Sequence, residues 1–144
     1  MSELQAIHEI LGGYKVLHDS PKASADAIEM LRLGLPVEAV EAVRLRLDMS
    51  KEEISRHVGI SRRTLFRLHE RDRLKPDESN RLFRLASITA KAEKVFSNQE
   101  KAHLWLRRAN RALQGQAPID LLDTDVGTCE VEDVLDRIYF GVYS

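Results

Sequence analysis

The sequence predicts an all-α protein made of two small helical modules, and three observations carry that prediction. Gly and Pro interrupt the chain at intervals that fit helices of about 8 to 16 residues. Apolar residues, 43% of the total, recur at three- and four-residue spacing, with no sustained period-2 alternation of β-branched residues that would announce a sheet. Charge is segregated within a net value of −1: residues 44–75 hold ten basic and five acidic residues, and residues 114–144 hold one basic and seven acidic. A chain of 144 residues is long enough for one ordinary domain or for two small helical ones.

A short helical N-terminus is expected to end at Gly12-Gly13, followed by a helix from about Ser24 to Leu33 with Ala27, Ile28 and Leu31 on one face. Gly34 stops it. Pro36 suits the first turn of the next helix, where its missing N–H costs nothing, and Val37, Val40, Val43 and Leu47 then line one side as far as about Asp48. Ser50-Lys51-Glu52-Glu53 is a capping box, in which the serine hydroxyl and the glutamate three residues on each satisfy an orphan amide. The helix it opens turns Ile54 and Val58 inward, and Gly59 can take the left-handed conformation that ends it. Ser61 then caps another helix at once. Two short helices around Gly59-Ile60-Ser61, with Ile54, Val58, Ile60, Leu65 and Leu68 as the apolar set, meet the packing needs of a helix-turn-helix over residues 50–71, although a plain helical hairpin would share the pattern.

With Leu65 and Leu68 inward, the second helix presents Arg63, Arg67 and Glu70 on its opposite face and Arg62 and Arg71 on the flanks. A basic stretch by itself is equally a solvated face. Coincident with this geometry it suits a polyanion, because the second helix of such a motif enters the major groove and arginine bonds bidentately to guanine. Arg62, Arg63 and Arg67 are the base-reading candidates, Lys51, Arg56 and Arg71 the phosphate contacts, and Ser61 and Thr64 lie at the helix start beside them. Since one motif reads one half-site, a homodimer is expected.

Pro76 opens a longer helix to about Lys94 with Leu82, Leu85, Ile88 and Ala92 inward, although Lys75 is a poor cap for it. A helix from about Asn98 to Leu113 carries Ala102, Trp105, Leu106 and Ala109 and is broken by Gly115 to Pro118; a turn at Ile119–Leu122 and a last helix from about Val131 to Phe140, with Val131, Val134, Leu135, Ile138 and Tyr139 for packing, complete the chain. The domain organisation expected is 1–75 for the first module, 76–96 as a connecting helix that could also serve dimerisation, and 97–144 for the second module.

Catalytic signatures are missing: there is no P-loop, GxSxG, GxGxxG or HExxH, and histidines 8, 18, 57, 69 and 103 share no metal-ligand spacing. Acidic pairs such as Asp123 with Asp125 or Glu132 with Asp133 read as solvated charge. Cys129 is the single cysteine and has no disulfide or zinc partner. No apolar run approaches the ~20 residues of a membrane span, and the N-terminus lacks a basic flank and cleavage site. The expectation is a cytoplasmic, non-enzymatic protein without metal, cofactor or membrane contact.

Gly34-Leu35-Pro36 followed by LDMSKEEISRHVGISRRTLFRLHERDRLKPDESNRLFRLASI resembles the DNA-binding half of Xre/MbcA/ParS-type antitoxins. Trp105-Leu106, Asn110, Leu113, Gly115, Pro118, Leu121-Leu122, Thr124, Gly127 and the ending Tyr139-Phe140-Gly141-Val142-Tyr143-Ser144 resemble their toxin-binding half, so that the likeness spans about 110 of 144 residues. Lys75 departs from it, standing where a serine-like cap is usual. The resemblance implies an Xre-like helix-turn-helix module followed by a small helical toxin-binding module. It also implies a RES-domain toxin that consumes NAD as cognate partner, operator DNA as the second partner, and autorepression. On this sequence it places toxin contact at Asp136, Arg137, Phe140, Gly141, Tyr143 and Ser144, in a homodimer or a larger hetero-oligomer with the toxin. An acidic tail suits a basic dinucleotide cleft, and Asp136, Tyr143 and the Ser144 carboxylate could enter it; alternatively Tyr139, Phe140 and Tyr143 only complete the module's own core. A stand-alone transcriptional repressor is the competing function.

Overall fold

Local hydrogen bonds set most of the helix boundaries. In the computed structural model, which describes residues 2–18, 24–68 and 72–141, helix α1 (Glu3–Ile10) opens on a capping box: the Gln5 amide donates to Ser2 Oγ at 3.2 Å, and Gln5 Oε1 accepts from the Ser2 amide at 2.9 Å. A five-residue helix, α2 (Gly13–Leu17), follows where the sequence predicts only an end. Then come α3 (Ser24–Leu33), α4 (Glu38–Arg46), α5 (Lys51–Val58), α6 (Arg62–Arg67), α7 (Pro76–Phe96), α8 (Gln99–Arg107) and α9 (Asp125–Phe140), with 3₁₀ turns at Arg111–Leu113 and Pro118–Leu121. There is no strand among the described residues, and the chain forms two compact units, 1–86 and 87–144. The division falls inside α7, the helix read from sequence as a connector.

In the first unit α4 packs on α1, α2 and α5, and α5 on α6. Ile10, Leu35, Val43, Leu47, Ile54, Val58 and Leu82 are among the fully buried side chains, each worth about 1.5–3 kcal/mol when removed from water. Of the predicted inward residues Ala27 is buried, whereas Ile28 is half exposed: one residue on, it points about 100° away from Ala27. Pro36 stands just outside α4 rather than in its first turn as expected: Val37, whose amide is taken by the Asp72 carbonyl, is the N-cap and the helix begins at Glu38. The chain leaving α6 is tied back to this corner. The Leu74 amide donates to the Leu35 carbonyl at 2.8 Å, the Val37 amide to the Asp72 carbonyl at 2.9 Å, Arg73 Nη1 to the Gly34 carbonyl at 2.7 Å, and the Leu35 amide to buried Ser79 Oγ at 2.8 Å. The poor cap at Lys75 is remedied by Glu78, whose carboxylate accepts from the Lys75 amide at 2.8 Å.

Arg44 fastens the end of α4 to the segment that leads into α5. Its Nε donates to Glu41 Oε2 at 2.8 Å, its Nη2 to Glu41 Oε1 at 2.5 Å and its Nη1 to the Met49 carbonyl at 3.1 Å. The hydrogen bond from Arg44 holds the Glu41 carboxyl below its ordinary pKa, against a smaller opposing effect of burial. A depressed carboxylate stabilises the fold above its unfolded pKa and loses that contribution as pH falls through the folded one. Glu41→Gln is therefore expected to lower the urea midpoint at neutral pH, with the deficit shrinking as pH falls and the Glu41 carboxyl takes up its proton. A deficit that persists unchanged in acid would contradict this.

The second unit, built from the C-terminal part of α7 and the elements after it, buries Ala92, Ala102, Leu106, Leu113, Ile119, Val131 and Leu135. Phe96 and Trp105 meet at 5.7 Å between ring centroids, and His103 Nε2 lies 2.7 Å from Glu93 Oε2. Helix α8 stops at Arg107 rather than near Leu113. Arg108 is extended, and Asn110 starts a separate turn, its side chain accepting from the Ala112 amide at 2.9 Å and its own amide donating to the Gln116 carbonyl at 3.1 Å. Ala109, expected on the packed face, is exposed in consequence. Helix α9 begins six residues before the predicted Val131. Thr124 caps it, accepting from the Gly127 amide at 2.9 Å, while the Thr128 hydroxyl donates to the Thr124 carbonyl at 2.8 Å. Gly127 and Thr128 are both buried, and the 3₁₀ turn at Pro118–Leu121 packs against α9 so closely that a Cβ at Gly127 would collide with the Leu121 carbonyl.

Candidate nucleic-acid and partner interfaces

The geometry of a helix-turn-helix is assembled from short-range contacts. Gly59 takes φ +80°, and both its amide and that of Ile60 donate to the Ser55 carbonyl, at 2.9 and 3.0 Å, so the chain reverses within one residue of α5. The Ser50–Glu53 capping box is present, with the Glu53 amide donating to Ser50 Oγ at 3.1 Å. Ile54, Val58 and Ile60 are buried, and Leu65 and Leu68 are half-buried beside them. Ser61 Oγ accepts from the Thr64 amide at 3.1 Å and its hydroxyl donates to Thr64 Oγ1 at 2.8 Å, which fixes the first turn of α6.

That helix is shorter than predicted, because Leu68 is already extended. Arg62, Arg63 and Arg67 are exposed on it, as are Lys51 and Arg56 on α5, and Thr64 is half-buried; Glu70 and Arg71 lie outside the described residues. Arg63 and Arg67 have no ion-pair partner among the described residues. Arg62 reaches back to Glu52 of α5 and donates to its Oε1. With both side chains more than 60% exposed, such a pair is worth at most about 1 kcal/mol and yields readily to a phosphate. Phe66, which sequence reasoning passed over, is 85% exposed on the same helix. Its signal was available: at helical spacing it falls within the arginine face and not beside Leu65 and Leu68.

At the end of α9 the inward side is formed by Val131, Val134 and Leu135 with half-buried Ile138. Tyr139 and Phe140 are 52% and 70% exposed, so these two rings do not complete the core, correcting the expectation that Tyr139 packs. They contact one another edge to face at 5.1 Å, and Lys94 Nζ lies 5.7 Å from the Tyr139 ring centre. Arg137 is exposed, Gly141 ends the helix at φ +69°, and Tyr143 and Ser144 lie outside the described residues. Asp136 is engaged: Lys91 Nζ is 2.9 Å from its carboxylate and 3.9 Å from that of Glu132. Charge alone offers less than the tail suggested, since residues 87–144 carry seven basic and nine acidic side chains.

Fold and site together define a helix-turn-helix protein that carries a second helical unit with an exposed aromatic pair at the end of its last helix. The family model described as the antitoxin Xre-like helix-turn-helix domain matches residues 26–87, and that of the antitoxin Xre/MbcA/ParS C-terminal toxin-binding domain matches residues 91–141. Among curated proteins, an antitoxin Xre of Pseudomonas putida is 36% identical over 135 residues, covering 93% of this chain and 85% of that protein. An antitoxin Xre of Yersinia enterocolitica is 31% identical over 119 residues, covering 81% and 80%. The chain belongs to the Xre/MbcA/ParS antitoxin family. Membership supports antitoxin function, and the two domains point to a toxin and to DNA as partners. No helix of the described residues is long and apolar enough to cross a membrane.

Proposed function

We propose that this chain neutralises a RES-domain, NAD-consuming toxin through its second unit and represses its own operon by binding operator DNA, as a dimer, through α5 and α6. The observation that carries the reading is the exposed Tyr139–Phe140 pair at the end of the toxin-binding domain, an apolar surface that rises beside the charged side chains of Arg137 and Lys94. Exposed aromatic rings flanked by charge are the composition of an interface core with its rim. Arg137, Phe140 and Gly141 present themselves at that helix end, and residues 142–144 continue from it. Asp136 contributes to toxin contact only by sharing or leaving Lys91.

Co-expression with the product of the adjacent open reading frame tests the reading. The two should co-elute at fixed stoichiometry in gel filtration, and cellular NAD should hold at control levels. Removal of residues 141–144 is expected to abolish protection while DNA binding and part of the complex remain. A truncated chain that still protects would place neutralisation on a broader surface, and a full chain that neither co-elutes nor spares NAD would overturn the RES assignment.

A further inference from the structure

Helix α6 carries an aromatic side chain where a DNA reader carries its base contacts. At about 100° per residue, Arg62, Phe66, Arg63 and Arg67 occupy successive positions across an arc of about 140°, with Phe66 between Arg62 and Arg63. All four are exposed, Phe66 to 85%, while Leu65 and Leu68 on the other side are half-buried against the motif's own core. A phenyl ring left in water on a six-residue helix contributes nothing to packing at that position. Its neighbours on the helix surface, Arg62 and Arg63, are both cationic, which disfavours a purely apolar occupant. The complementary surface is polyanionic and also offers small apolar groups, and the major groove of DNA is such a surface: every base edge there is polar except the C5 methyl of thymine.

From this geometry we infer that Phe66 is a specificity-determining residue that reads a thymine methyl in the major groove, beside a guanine read by Arg63. The inference rests on the operator-binding reading above and adds to it which base is read and by what contact. Three residues along a helix advance about 4.5 Å, against a base-pair rise of about 3.4 Å. The thymine therefore lies within about two base pairs of the guanine. Cytosine at that position would present an amino group to the ring and lose the methyl contact, so selection against it has both a repulsive and an attractive part.

The test uses the full chain and duplexes enriched by it from a randomised pool, with each thymine replaced in turn by deoxyuracil, which removes the methyl and leaves base pairing and O4 in place. Wild type should lose about threefold to tenfold in affinity at one thymine per half-site, as expected for a contact the size of one methyl group. Phe66→Ala should bind the parent duplex about as weakly as wild type binds the deoxyuracil duplex, should show no further loss on that duplex, and should neutralise the toxin undiminished. Because Phe66 is exposed, its thermal melting should match wild type. Unchanged affinity of Phe66→Ala, or the same deoxyuracil loss in both proteins, overturns the inference while leaving operator binding intact. Loss of neutralisation with DNA binding retained would assign the ring to a protein contact and overturn it as well. A wild-type chain that enriches no sequence overturns the operator reading itself and the inference with it.

Discussion

The Arg63→Ala/Arg67→Ala double substitution is expected to weaken operator binding by about 2 to 6 kcal/mol, the sum of about 1 to 3 for each lost base contact. Both side chains are exposed and neither has an ion-pair partner among the described residues, so their removal leaves the buried set of Ile54, Val58 and Ile60 untouched. Thermal melting should stay within about two degrees of wild type, in keeping with surface substitutions. Fluorescence anisotropy at one fixed salt concentration checks the loss, because phosphate contacts make any affinity salt-dependent. Toxin neutralisation should be unaffected. A double variant that binds as wild type does would move the recognition face away from α6.

Gly127→Ala should have the opposite pattern. In an ordinary helix interior this change stabilises by about 0.5–1 kcal/mol, since alanine has less backbone entropy to lose. Here the new methyl would fall on the Leu121 carbonyl and crowd Thr124 Oγ1, so either α9 or the 3₁₀ turn at Pro118–Leu121 must move. The shift would strain the Thr124 cap as well. A net destabilisation of about 1–3 kcal/mol is expected, the cost of overpacking, with neutralisation reduced and operator binding kept. Urea unfolding reads the sign directly. A more stable variant would show that the close approach does not restrict this position.

What the sequence revealed and what it concealed divide along the range of the interactions. The Ser50–Glu53 box, the left-handed Gly59 and the Ser61 cap are all settled within four residues, and each stands where the pattern placed it. The start of α9 depended on distant contacts. Gly127 and Thr128 are poor helix formers, and only the neighbouring turn at Pro118–Leu121 explains why a glycine is built into a buried helical face. The end of α8 was disguised by Leu106, Ala109 and Leu113, which keep helical spacing although Asn110 starts a new turn; the asparagine was the overlooked signal. Phe66 is legible only from the helical spacing of α6, which sets it on the arginine face and away from Leu65 and Leu68. The exposure of Tyr139 was not legible, since an aromatic residue at the end of an amphipathic helix has the same pattern whether it packs or faces a partner.

Trp105, the only tryptophan of the chain, lies in the second unit with its ring against Phe96 and is partly shielded from water. Indole emission therefore reports on one half of the molecule, whereas circular dichroism at 222 nm sums over the helices of both. Recording the two signals through a single urea titration turns this accident of composition into a measure of cooperativity. Coincident curves would mean that α7, shared by both units, transmits unfolding from one to the other, and separated curves would yield the free energy of each half on its own.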